Sequence, residues 1–195
     1  MKKLIITLVM AFTLLFSGSA FAFDASSLSG MYLTPKVGYT YVELDDIHAV
    51  NSNAYSHGHD NTAAVGLSVG YDFWKEFQLP VRAELEYMFR DKAVADFGSH
   101  RVSSYAHTAM ANVAYDFRQV PYVTPYLTAG LGVSWLESGH DDVSYNIGCG
   151  MFYDLTENVA LDLSLKYIDY GQVRKNGYKM DQKGTNAMFG VRYTF

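Results

Sequence analysis

The sequence predicts an all-β fold, a closed eight-stranded antiparallel transmembrane β-barrel wound as an up-and-down meander, on three observations. The first is a repeated strand ending. Val191-Arg192-Tyr193-Thr194-Phe195 closes the chain, and Tyr71-Asp72-Phe73, Tyr115-Asp116-Phe117 and, weakened, Tyr153-Asp154-Leu155 precede it. A repeat of roughly forty residues, each copy setting two large side chains against one polar one, is what successive barrel hairpins leave in sequence. The second is that apolar residues fill 49% of the chain, with 16 Tyr, 16 Gly and only 4 Pro, yet form no spanning helix beyond the N-terminal run. The longest later uncharged stretch, Gln119 to Leu136, is broken by Pro121, Pro125, Gly130 and Gly132. The third is apolar-polar alternation in segments of about ten residues or more, the length of a tilted membrane strand.

Residues 1–22 read as a signal peptide that is removed, leaving 23–195 as the barrel domain. Lys2 and Lys3 precede an apolar run from Leu4 to Phe16, and Ala20-Phe21-Ala22 supplies a small-x-small cleavage site. That run is too short to cross a hydrocarbon core of about 30 Å as a helix. It predicts export through the Sec pathway with a cleaved leader, and Phe23, not a cysteine, stands directly after the site, so nothing suggests a lipid anchor. Losing two lysines makes the mature chain more acidic than the full chain's net charge of −5, which argues against nucleic acid as a partner. The single cysteine, Cys149, excludes an internal disulfide.

The strands follow in order. The first, Tyr32 to Leu44, turns Val37, Tyr39 and Tyr41 outward and Lys36 inward. The second sets Val65, Leu67, Val69, Tyr71 and Phe73 against Ala64, Gly66, Ser68, Gly70 and Asp72. In the third, Val81, Ala83, Leu85, Tyr87 and Phe89 oppose Arg82, Glu84, Glu86 and Arg90. The fourth opposes Val113, Tyr115 and Phe117 to Asn112 and Asp116, and the fifth opposes Leu127, Leu131, Val133 and Trp135 to Thr128, Gly130, Gly132 and Ser134. Val143, Tyr145, Ile147, Cys149, Met151 and Tyr153 form the apolar side of the sixth, which puts the cysteine toward lipid. The seventh opposes Leu161, Leu163, Leu165 and Tyr167 to Asp162, Ser164 and Lys166; the eighth opposes Phe189, Val191, Tyr193 and Phe195 to Asn186, Gly190 and Arg192. A soluble lipocalin would reverse this arrangement, with apolar side chains inside and charge outside.

Links near Trp74 to Pro80, Arg118 to Thr124 and Thr156 to Asn158 are short, whereas Asp45 to Asn61, Asp91 to Val102 and Gly171 to Gly184 read as longer loops. The loop from Glu137 to Asp142 is short on the long side. Short turns belong to the periplasm and long loops to the cell exterior in such barrels.

An eight-stranded barrel is just wide enough for side chains to fill, and charges inside it must pair or be hydrated. The predicted lumen set is Lys36, Arg82, Arg90, Lys166 and Arg192 against Asp72, Glu84, Glu86, Asp116 and Asp162. It reads as an ionic network that plugs the barrel; the alternative is a narrow porin-like channel for small solutes. At the outer end, His48, His57, His59, His100, His107 and His140 offer either a metal- or pH-responsive surface or polar loop positions. No ligand spacing is fixed there, so no metal site and no cofactor is assigned. The basic loop Arg174, Lys175, Lys179 and Lys183 reads as a lipopolysaccharide phosphate contact or as a hydrated loop. A deacylase would need an activated Ser-His pair. The same-face neighbours of His107 are Tyr105 and Ala109, and Ser103 lies roughly 13 Å away along a strand, so no enzyme is expected.

Thr124-Pro125-Tyr126-Leu127-Thr128-Ala129-Gly130-Leu131-Gly132-Val133 resembles the Pro-Tyr-x-x-Ala-Gly-x-Gly strand of the opacity-protein-like, OmpA-like small outer-membrane barrels. Ala111 to Phe117, Lys166 to Gly171 and Gly190 to Phe195 resemble strand ends of the same family, so the similarity covers essentially the whole mature chain. The resemblance implies a Gram-negative outer membrane and insertion by the barrel-assembly machinery, with Tyr193 and Phe195 as the assembly signal. It implies outer-membrane lipid and lipopolysaccharide as surroundings. It also implies a structural, surface-antigen or adhesin-like role, with host surface or matrix molecules as partners of the loops.

Overall fold

The computed structural model describes residues 29–49, 58–97, 100–136, 141–175 and 178–195. The predicted leader, 1–22, lies outside the described residues. The strands are β1 (Met31–Ala49), β2 (Gly58–Asp72), β3 (Val81–Phe97), β4 (His100–Asp116), β5 (Val123–Leu136), β6 (Asp141–Asp154), β7 (Val159–Lys175) and β8 (Tyr178–Thr194). Each pairs antiparallel with the next, and β8 pairs back onto β1, so the sheet closes and leaves no edge strand. One helical turn, α1 (Trp74–Phe77), links β2 to β3, and Gln78 leaves it in the left-handed conformation at φ 54°.

Strand alternation gives the wall two chemistries. Val37, Tyr39, Leu67, Leu85, Val113, Leu127, Leu131, Ile147, Leu163, Leu165 and Phe189 point out and are exposed, while Thr34, Ser68, Arg82, Asp116, Asp162 and Asn186 point in and are buried. A wall that is apolar outside and polar inside is stable only with lipid as its outer solvent. Cys149 lies on the lipid side. At the short-turn end the repeated endings form edge-to-face pairs: Tyr71 with Phe73 at 4.9 Å, Tyr115 with Phe117 at 5.1 Å and Tyr193 with Phe195 at 5.1 Å. These rings form the girdle expected of amphipathic aromatics at a membrane interface.

The long connections differ from the sequence expectation. They are largely continuations of the strands: β3 and β4 pair out to Phe97 and His100, and β7 and β8 pair out to Lys175 and Tyr178. Strands of 14 to 19 residues exceed the membrane requirement, so the hairpins project as ribbons beyond it. Only two residues separate Lys175 from Tyr178, which pair with each other across β7 and β8. The basic residues are therefore not in an irregular loop. Arg174 and Lys175 belong to β7, and Lys179 and Lys183 to β8.

Candidate functional site

The lumen is stacked in tiers, built by residues two apart on successive strands. At the short-turn end Arg82 lies among three aromatic rings, its Cζ 4.5 Å from the Phe152 centroid, 4.7 Å from Tyr126 and 5.7 Å from Tyr32. Its Nε donates to both carboxylate oxygens of Asp116, at 2.9 and 3.0 Å. Arg192 lies 3.9 Å over the Tyr32 ring and bridges to Asp72 at 3.2 Å. Arg118, which the sequence reading left in a turn, reaches back inside to Asp72 at 2.6 Å and Asp116 at 2.9 Å. Guanidinium suits this tier because it bonds carboxylate along its edge and stacks on aromatics through its face.

Two close contacts make room for the rings. Gly70 lies under Tyr32 and Gly150 under Tyr126, each directly opposite its tyrosine in register, where a Cβ would collide with the ring. Tyr126 is further held by stacking on Phe152 at 4.8 Å and by donating to Asp162 Oδ1 at 2.7 Å.

The next tier is centred on Glu86. Lys166 Nζ donates to both its oxygens at 2.8 Å, Lys36 Nζ donates at 2.8 Å and Ser68 at 3.2 Å. Lys36 also meets Glu84 at 3.2 Å and Asp162 at 3.7 Å. Above it the described lining is neutral apart from Arg90. Met88, Met110, Met188 and Ile168 cluster there, with Asn146 donating to Asn112 at 2.7 Å and Ser134 bonded to Ser144 at 2.6 Å. Arg90 is buried in this upper part, apart from the ion pairs below.

The structure thus brings nine of the predicted lumen charges, Lys36, Asp72, Arg82, Glu84, Glu86, Asp116, Asp162, Lys166 and Arg192, into ion pairs or direct hydrogen bonds, while Arg90 lies against the Tyr170 ring with no ion pair among the described residues. Sequence reasoning missed Arg118 and the inward rings Tyr32, Tyr126 and Phe152. A recess of about 500 Å³ opens at the short-turn mouth and reaches inward to Phe152 and Arg192.

On the outer wall toward the hairpin end, Tyr87 Oη and His107 Nδ1 share a hydrogen bond at 2.6 Å, and Tyr145 donates to Asp169 at 2.7 Å. Lys183 stands opposite Asp169 in register. The side chains of Arg174, Lys175, Lys179, His48, His59 and His100, and all of His57 and His140, lie outside the described residues.

A family model described as the outer membrane protein beta-barrel domain matches residues 8–195. The chain belongs to this family. It is 30% identical to outer membrane protein PagN of Salmonella typhimurium, across 90% of this chain and 94% of PagN. In fold it is similar to Neisserial surface protein A, at 20% identity and a TM-score of 0.62, covering 86% of this chain and 98% of that one. It is similar also to OprG of Pseudomonas aeruginosa, at 15% identity and a TM-score of 0.59, covering 86% and 97%. This outer-membrane barrel therefore resides in the outer membrane.

Proposed function

We propose that this outer-membrane barrel is closed by its ionic network and acts at the cell surface through its extracellular hairpins, in a structural, surface-antigen or adhesin-like role. The observation that supports the reading is the lumen network, in which Lys166 on β7 reaches Glu86 on β3 and Arg192 on β8 reaches Asp72 on β2. Groups needed to satisfy one another are not free to line an aqueous path. What remains available is the set of ribbons beyond the membrane, and binding is disproportionately carried by such projecting segments on a rigid scaffold. Cells displaying the chain are expected to bind immobilised host matrix. Shortening the β3–β4 hairpin above Asp91 and Ala106 should bring binding to background while the barrel still assembles. Equal binding by the shortened form would contradict the reading.

A narrow channel is the second reading, favoured by the recess at the periplasmic mouth. A lipopolysaccharide contact at the outer rim is supported by the position of Lys183, opposite Asp169 of the Tyr145–Asp169 pair on the outer wall.

A further inference from the structure

Arg90 is buried to 2% exposure in the extracellular half of the lumen, and none of its Nε, Nη1 and Nη2 has a hydrogen bond of acceptable geometry. Its neighbour is the Tyr170 ring on β7, 4.9 Å from Cζ, which is neutral and leaves the charge uncompensated. Among the described residues every other inward basic group is paired: Lys36, Arg82, Arg118, Lys166 and Arg192 share the five carboxylates Asp72, Glu84, Glu86, Asp116 and Asp162. Among the described residues near this level, Asp91 is exposed and Asp169 bonds Tyr145 on the outer wall. Among the described side chains, Arg90 is thus the sixth inward cation to five inward carboxylates. Arginine does not shed its proton, and an isolated buried cation is expensive, so a counter-charge must come from elsewhere.

Polar oxygens on neighbouring inward positions also lack a hydrogen bond, although Asn186 Nδ2 donates to Met88 Sδ at 3.2 Å. Asn186, Thr40 and Thr62 are register partners across β8, β1 and β2, and Arg90 follows on β3, one inward position below Thr62 through its partner Ala64. Thr40 Oγ1, Thr62 Oγ1 and Asn186 Oδ1 are buried without a hydrogen bond. Tyr170 Cε2 and Thr40 Cγ2 flank the same face of Gly184, 3.1 and 3.4 Å from where a Cβ would stand, so the threonine row and the ring beneath Arg90 adjoin.

We propose that Arg90, with the hydroxyls of Thr40 and Thr62 as donors, holds a small inorganic anion of chloride size in the upper lumen. One uncompensated guanidinium calls for a single negative charge, and a bore filled by side chains admits only a small ion.

The probe is chloride. The full chain refolded in phosphatidylcholine vesicles should unfold about 2–4 °C higher in sodium chloride than in sodium gluconate of equal ionic strength, because an anion bound only to the folded state stabilises it. Arg90→Met should fold and lose that response, and Thr62→Val should weaken it. No chloride response in the unaltered chain, or the same response in Arg90→Met, would overturn the assignment. Should Arg90→Met fail to fold, bromide-soaked crystals of the unaltered chain decide. Anomalous density within hydrogen-bond reach of the Arg90 guanidinium supports the site, and density only elsewhere, an adventitious ion only, refutes it.

Discussion

Replacing Glu86 by alanine is expected to destabilise the barrel by about 3–5 kcal/mol, read as a lower urea midpoint of the refolded chain in lipid vesicles. Glu86 is the acceptor common to Lys36 and Lys166, each at 2.8 Å, and both lysines are almost fully buried. Its removal strands Lys166, whose next carboxylate, Glu84, is 3.9 Å away. The loss is then the penalty of an uncompensated buried ammonium, and it is a large fraction of a typical folding free energy of about 5–15 kcal/mol. A double replacement, Glu86→Leu with Lys166→Met, removes the pair together and leaves Lys36 to Glu84 at 3.2 Å and Asp162 at 3.7 Å. It should recover most of the stability. A double variant no better than the single one would mean that Glu86 acts by packing and not by charge.

Deleting Phe195 is expected to remove most of the folded outer-membrane population, while Phe117→Leu leaves most of it, both read by heat-dependent electrophoretic mobility of membrane fractions. The two rings are equivalent in the girdle, each in an edge-to-face pair at 5.1 Å with the tyrosine two residues before it. They differ in what else depends on them. Phe195 N–H donates to Met31 O at 2.9 Å across the β8–β1 seam, and its carbonyl oxygen accepts from Lys75 Nζ at 3.0 Å. Closure of the barrel ends on this residue, and we propose that it is also the element read during insertion. Equal assembly of the two variants would reduce Phe195 to an ordinary strand end.

The wall of this protein was legible because a strand's period of two sorts residues by solvent: Leu85 to lipid, Glu84 and Glu86 to the bore. Alternation could not identify partners, since it fixes a face but not the register between strands. It also misses residues that break the code. Tyr32, Tyr126 and Phe152 are aromatic yet inward, because the lower bore needs flat rings to pack the guanidinium groups of Arg82 and Arg192. A signal did exist in the sequence, since Gly70 and Gly150 are the vacant positions over which Tyr32 and Tyr126 lie, but it is readable only once register is known. Arg118 escaped because it follows the strand end, and a long side chain can turn back from a turn into the bore. The hairpin ribbons were hidden by polar composition, which resembles that of loops.

Single-channel recording of the full chain in planar bilayers tests the closed lumen most directly. The ion pairs that join Lys36 and Lys166 to Glu86, and Arg82 to Asp116, predict a quiet membrane with no steady large openings. Sustained, well-resolved conductance steps from the unaltered chain would contradict the account and make the barrel a channel.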